Sequence, residues 1–216
     1  MTTPIRPTAL LYDWDNTLVD AWAGVTAALN ATFDAFAMPH WTDADTRARA
    51  RLPLAASFQA MFGAEWQRAR DVFHAAMHDA HLRHVRPMPG AAAALEAGRR
   101  WRQGVVSNKD GAYLRAEVAH LDWTDRFGAV VGAGDAAADK PDAAPILLAL
   151  ARMDAVATSS VWYLGDAAID MQAARAAGVT GVLIGDAAHD GGVARAAPDL
   201  HFASAEALAA ALGKLA

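Results

Sequence analysis

The chain has 216 residues, 54% of them hydrophobic and 20% charged, with a formal net charge of −5 and no cysteine. That size suits one substantial domain or one domain with a smaller insert, and the composition is that of a folded protein, which excludes a disordered chain. The mild acidity argues against nucleic acid or a membrane surface as the partner, and the lack of cysteine excludes disulfides, a thiolate metal site and a cysteine nucleophile. No apolar run is long enough to span a bilayer, and the N-terminal stretch MTTPIRPTALLYDWD lacks a signal-peptide core, so a cytoplasmic protein is expected.

Thr8–Asp15 (TALLYDWD) reads as a buried strand that ends in acids. The next segment, 21–38, has helical spacing through Trp22, Val25, Leu29, Phe33 and Phe36, with Asp20 placed to cap it. Thr42 or Asp43 can open another helix, and LPLAASFQAMF (52–62) and AEWQRARDVFHAAMHDAHLRH continue the helical pattern to about His84. The RPMPG stretch then breaks the chain. AAAALEAGRRW reads as a helix, QGVVSNKD as a strand, AYLRAEVAHL as a helix and FGAVVGAGD as a strand. PDAAPILLALARM follows as a helix with prolines in its first turn, and Lys140 stands at its beginning. SSVWYLGDA is a strand, IDMQAARAAG a helix ending at Gly178, VTGVLIGD a strand, and SAEALAAAL a last helix opened by Ser204. Glu117 and Glu206 are read as acids on exposed helix faces.

Alternating strands and helices imply a mostly parallel sheet covered on both faces, an α/β Rossmann-like three-layer core. The four-helix stretch interrupts that alternation after the first strand. The expected organisation is therefore a core of residues 1–18 and 87–216 with an inserted all-helical domain at 19–86. Open α/β sheets bind ligands at the carboxyl ends of their strands, where such an insert sits.

Strand ends carry the chemistry. The first ends in Asp13 and Asp15, the GVVSNK strand in Ser107, and VWYLGDAAID in Asp166, with Asp170 one helical turn on. Two carboxylates one residue apart repel each other and do not belong in a core without compensation. Several carboxylates at one sheet edge call for a cation, and oxygen ligands completed by water suit Mg²⁺. A lysine and a hydroxyl beside that ion suit a phosphoryl group. One carboxylate can then be the nucleophile in phosphoryl transfer, and a second can protonate the leaving oxygen and later activate water. The chain has only three lysines, Lys109, Lys140 and Lys214, and two fall at or beside these positions. Lys109 is read as a surface residue next to the motif.

In order and spacing, DWDNT, VVS, the lysine of KPDAAP and GDAAID resemble the four motifs of the haloacid dehalogenase-like superfamily, over nearly the whole chain. PMPG and SNK are similar to its phosphoglycolate-phosphatase-like branch, which carries a small helical cap after the first motif. The resemblance implies an Mg²⁺-dependent phosphatase that hydrolyses a small phosphorylated metabolite, phosphoglycolate by analogy, through an aspartyl-phosphate intermediate. It implies Asp13 as nucleophile and metal ligand, and Asp15 as general acid/base and a metal ligand through its backbone carbonyl. Thr17 would orient the loop, Ser107 and the Asn108 N–H would hold the phosphoryl group, and Lys140 would neutralise charge. Asp166 would ligate Mg²⁺ and Asp170 would support it directly or through water. Three positions depart from the family's usual pattern: Trp14 and Asn16 replace a Leu or Met and a Gly, and Ala167 replaces a small hydroxyl residue.

Alternatives within and outside this reading are a phosphosugar mutase of the β-phosphoglucomutase type and a non-catalytic binding protein with the same fold. A dehalogenase would not need a carboxyl at position 15, and a phosphonate hydrolase with a cap lysine has no candidate between Met1 and Asn108. A monomer or homodimer is expected. His74, His78 and His81 are spaced i, i+4, i+7 on one helix face, the spacing of a solvated stripe or of a zinc or substrate site. Trp22 and Trp41 are read either as core of the insert or as part of a substrate cleft.

Overall fold

The structure is a computed structural model and describes residues 6–49 and 54–215. Its elements run β1 (Ala9–Tyr12), β2 (Val19–Asp20), α1 (Trp22–Ala35), α2 (Asp43–Arg49), α3 (Leu54–Phe62), α4 (Trp66–His84) and β3 (Arg86–Pro87). They continue with α5 (Ala91–Ala97), β4 (Arg102–Asp110), α6 (Gly111–His120), β5 (Ala129–Ala133), α7 (Ala144–Arg152) and β6 (Val161–Gly165). The last are α8 (Ala168–Ala177), β7 (Thr180–Ile184), α9 (Val193–Ala196), β8 (Leu200–Phe202) and α10 (Ala205–Lys214). The chain divides into two compact units, Met1–Val19 with Pro87–Ala216, and Asp20–Arg86.

The first unit is an α/β sandwich around a six-stranded sheet of order β5-β4-β1-β6-β7-β8, with every pairing parallel. β2 and β3 form a separate two-stranded sheet. All four residues of β1 are buried, as a central strand covered on both faces requires. Ala9 and Leu11 point into a core built with Ile146, Ala149 and Leu150 of α7 and Ala173, Ala174 and Ala177 of α8. On the opposite face the Tyr12 hydroxyl donates to Gln103 Oε1 at 3.1 Å, and Gln103 Nε2 donates to the Leu95 carbonyl of α5 at 3.2 Å. The strand order reverses direction at β1, the topological switch point where α/β sheets place ligands. Tyr12 is in register with Val105 and with Leu164, so Asp13, Ser107 and Asp166 all emerge within two residues of one level.

Helix ends follow local side-chain chemistry. Asp110 Oδ1 accepts from the N–H groups of Ala112 and Tyr113 at the start of α6. Ser204 Oγ accepts from Ala207 N in α10, and Gly178 ends α8 at φ 70°, a conformation that favours glycine. Lys140 does not begin α7, as the sequence suggested. The helix opens four residues later, where Asp142 Oδ1 accepts from Ala144 N at 2.8 Å, and Lys140 lies in the preceding turn. β8 and α9 were not anticipated, because elements of three and four residues leave no periodicity to read.

The second unit is helical. Leu29, Phe33, Phe58, Ala69 and Phe73 form its core, and the Phe33 and Trp41 rings meet edge-on with centroids 5.0 Å apart, so the half-buried Trp41 packs against that core. Asp20 Oδ1 accepts from Trp22 N at 2.9 Å. Thr42 and Asp45 exchange bonds in a capping box: Thr42 Oγ1 accepts from Asp45 N, and Asp45 Oδ2 accepts from Thr42 N. The expected helix start at Leu52–Pro53 lies outside the described residues. Among the described residues no helix is long and apolar enough to cross a membrane.

Leu11 is fully buried, and its truncation leaves a cavity under the central strand. Leu11→Ala should lower the unfolding free energy by about 2–5 kcal/mol, seen as a lower denaturant midpoint. An unchanged midpoint would contradict this packing.

Candidate active site

β1 delivers Asp13 to the sheet edge in a nearly closed environment, its own N–H bonded to the Leu164 carbonyl at 2.7 Å. The loop that follows turns at once: the Trp14 carbonyl accepts from the N–H groups of Thr17, Leu18 and Val19, and Asn16 N donates to the Val19 carbonyl. Asn16 adopts φ 61°. Asparagine tolerates this left-handed conformation better than other non-glycine residues, so the chain makes its turn without the family's usual glycine.

Lys140, 6% exposed, joins the two ends of the acidic group. Its Nζ donates to Asp13 Oδ1 at 2.8 Å and to Asp170 Oδ1 at 2.7 Å. Asp170 Oδ2 accepts from Ala167 N at 3.1 Å, tying the carboxyl to the first turn of α8. The Tyr163 hydroxyl lies 2.9 Å from the Val106 carbonyl and 3.2 Å from Asp170 Oδ1, and with one proton it serves one of them at a time. Thr17 Oγ1 is 3.5 Å from Asp166 Oδ1, and His189 Nε2 is 3.4 Å from Asp166 Oδ2.

Oxygen atoms of Asp13, Asp166 and Asp170 all lie within 4.8 Å of one another. Three carboxylates and one ammonium leave a formal charge of −2. Burial pushes the Asp13 carboxyl up to about 7, against the pull of Lys140, with Asp170 and Asp15 adding to the rise. Burial also raises Asp166 well above the usual carboxylate range, helped by Asp13 and Asp170. Burial alone would lower Lys140, but Asp13 and then Asp170 outweigh it and hold its ammonium well above the ordinary lysine value. The lysine is therefore charged and the acids remain under-compensated. An all-oxygen donor set with two excess negative charges fits a hard divalent cation.

Ser107 and Asn108 sit where the β4–β5 register shifts, between Val106 and Asp110. Such a break re-aims side chains at a strand end. Ser107 is buried and its Oγ accepts from Lys109 N at 3.2 Å. The Asn108 side chain has a task that the sequence did not reveal: its Oδ1 accepts from Lys140 N at 2.9 Å and its Nδ2 donates to the Lys140 carbonyl at 3.0 Å.

Lys109 and Glu117 require corrections. Glu117 is 1% exposed, not an acid on a solvated face, and Lys109 is not a surface residue. Lys109 Nζ donates to Asp15 Oδ1 at 2.7 Å and to Glu117 Oε1 and Oε2 at 2.9 and 2.7 Å. Trp14 Nε1 donates to Glu117 Oε2 at 2.7 Å. Burial disfavours the Lys109 charge, yet Asp15 and Glu117 raise it above the ordinary lysine value. The ion-pair partner of Glu117, Lys109, comes from β4 and its indole partner, Trp14, from the loop after β1. His74, His78 and His81 do not form a metal-binding group with each other among the described residues; His81 is buried and its ring centroid is 6.5 Å from that of His78.

Two outcomes follow from this geometry. A Cβ at Gly165 would lie 2.3 Å from Asp170 Cγ, so Gly165→Ala should cost about 1–3 kcal/mol and weaken divalent-metal binding, whereas Gly213→Ala, with open space around it, should do neither. Asp13, raised from 3.8 to about 7, binds more protons folded than unfolded, so its contribution to stability is lost as pH rises through that window. In chelator, Asp13→Asn should therefore gain stability relative to the parent protein from about pH 4 to about pH 7, and a divalent cation should reverse the trend. A flat difference between the two melting curves would contradict it.

The family model described as haloacid dehalogenase-like hydrolase matches residues 10–197. A phosphoglycolate phosphatase of Cupriavidus necator is 33% identical over 222 residues, covering 98% of this chain and 95% of its own length. One from Xylella fastidiosa is 32% identical over 182 residues, covering 80% of this chain and 78% of its own. A solved structure from Clostridium difficile aligns with a TM-score of 0.83 at 16% identity, over 96% of this chain and 99% of that one. A superfamily hydrolase from Geobacter sulfurreducens aligns at 0.78 and 18%, over 96% and 97%. At these identities the structural likenesses establish the fold, while the sequence relatives carry the activity class. The chain belongs to the haloacid dehalogenase-like hydrolase family, and it is a phosphatase.

Proposed function

We propose that the protein is a Mg²⁺-dependent phosphomonoesterase for a small phosphorylated metabolite, with phosphoglycolate the first candidate, working through an aspartyl phosphate on Asp13. The observation that carries the reading is the convergence of Asp13, Asp166 and Asp170 on one buried point beside the Lys140 ammonium. Relatives named phosphoglycolate phosphatase, 29–33% identical, support the substrate class. We assign Asp20–Arg86 the part of a cap that selects the substrate, with Met1–Val19 and Pro87–Ala216 as the catalytic core.

Asp13, Asp166, Asp170 and the Asp15 backbone carbonyl would hold the ion. Mg²⁺, when bound, offsets the excess negative charge of the carboxylates and the phosphoryl group. Lys140 lies against the Asp13 carboxyl and neutralises charge on the transferring group. Ser107 Oγ and the Asn108 N–H hold the phosphoryl oxygens. A carboxylate oxygen of Asp13 attacks phosphorus as the bond to the leaving oxygen breaks, and Asp15 gives that oxygen a proton, so the product departs as an alcohol. Asp15, now ionised, takes a proton from water. The water oxygen attacks phosphorus, the bond to Asp13 breaks, and phosphate leaves. Asp15 is suited to both halves: its side chain is 30% exposed, whereas Asp13 is nearly closed off.

The test is phosphate release over a panel of acid, sugar and nucleotide phosphates, phosphoglycolate included, with isomerisation of hexose phosphates followed in parallel. Turnover should require Mg²⁺, Asp13→Asn should abolish it, and Asp15→Asn should lower it about 10²–10⁴-fold. Turnover that survives Asp13→Asn would sink the mechanism; isomerisation exceeding hydrolysis would reassign the enzyme as a mutase.

A further inference from the structure

The proposed general acid is gripped from behind. Lys109 Nζ meets three acceptor oxygens, Asp15 Oδ1 and both oxygens of Glu117, which match the three protons of an ammonium. Glu117 is itself pinned by Trp14 Nε1, and Trp14 is fully buried with its ring edge-on to Trp123, centroids 5.9 Å apart. Lys109 is anchored again at its backbone, where its N–H donates to Ser107 Oγ. Sealing a lysine–glutamate pair in a protein interior is seldom a net stabilisation compared with apolar residues of the same volume, so packing alone gives little reason for this chain of contacts. Its side chains reach the sheet edge at Asp15, and its backbone does so at Ser107.

We propose that Lys109, braced by Glu117 and Trp14, is a positioning residue that fixes the Asp15 carboxyl for proton transfer to the leaving-group oxygen. This rests on the phosphatase reading, in which Asp15 is the general acid/base. Lys109 engages Oδ1, leaving Oδ2 to carry the transferred proton. As the phosphorus–oxygen bond breaks, its electron pair goes to the leaving oxygen and the Oδ2 proton follows; Lys109 keeps all three of its own protons throughout. Held in this way, the carboxyl gives up no rotational freedom at the moment of reaction.

Leaving-group chemistry separates positioning from mere packing. A good leaving group departs with little help from an acid, whereas a basic one needs the proton. The experiment measures kcat/KM, which reports transfer to Asp13, for p-nitrophenyl phosphate and p-methoxyphenyl phosphate, esters of similar size. Lys109→Met should lose about tenfold more on the p-methoxyphenyl ester than on the p-nitrophenyl ester. Asp15→Asn should show the same bias, Lys109→Arg should recover part of the loss, and Asp15→Asn/Lys109→Met should be no slower than Asp15→Asn alone. Calorimetric titration with Mg²⁺ alone should show no weakening in Lys109→Met. Equal losses on both esters, additive losses in the double variant, or weakened Mg²⁺ binding would each overturn the assignment and leave Lys109 a structural residue. Should Lys109→Met fail to fold with the buried Glu117 charge uncompensated, Lys109→Met/Glu117→Gln carries the same test. Failure of the phosphatase reading would appear elsewhere, as turnover that survives Asp13→Asn.

Discussion

A single buried ammonium holds this site together. Lys140 stands between Asp13 at the end of β1 and Asp170 in the first turn of α8, two carboxylates that repel each other without it. Breaking a buried pair by removing one partner typically costs about 3–5 kcal/mol, because the charge left behind has neither water nor partner. The surrounding elements are arranged to bring these three groups together. β1 occupies the switch point of the sheet, β6 leads into α8 through the tight turn at Gly165–Ala168, and the turn before α7 lays Lys140 over the sheet edge.

Charge is divided unequally between two clusters. Around Lys140, three carboxylates face one ammonium, the deficit that a divalent ion satisfies. Around Lys109, two carboxylates face one ammonium, and one of those acids is sealed in by a tryptophan. Asp13 and Asp15, only two residues apart, thus answer to different lysines. That separation gives chemically identical groups different surroundings, one buried and the other half-open, the difference on which the proposed roles of nucleophile and proton carrier rest.

Much of this was legible in the sequence. An apolar run such as ALLY ending in DWD cannot be an ordinary strand, since the cost of two acids so close at its tip needs a reason, and the acids at a later strand end and the lysine before α7 supply it. Asp20, Thr42, Gly178 and Ser204 mark helix ends through chemistry local to a few residues. The misses share a different cause. Glu117 and Lys109 read as solvent-facing because helical and strand spacing report only local neighbours, whereas they pair with each other across β4 and α6 and with Trp14 and Asp15 of the loop after β1. Tyr163 read as one more apolar strand residue; its hydroxyl gains meaning only because α8 brings Asp170 within 3.2 Å. Trp14 looked like a departure from pattern, and its indole N–H turns out to be the anchor of Glu117.

The Asn108 amide grips both the N–H and the carbonyl of Lys140, imitating one rung of a β-ladder with a side chain. The hydroxyl of Ser107, one residue away, and the ammonium of Lys140 are thereby carried on what is mechanically one piece, although 33 positions separate them along the chain. Any displacement of the strand tip drags the Lys140 backbone with it, so the spacing between alcohol and amine would act as a fixed ruler for the proposed phosphoryl group. Both residues belong to the α/β unit, so sequence changes confined to Asp20–Arg86 leave that ruler as it stands.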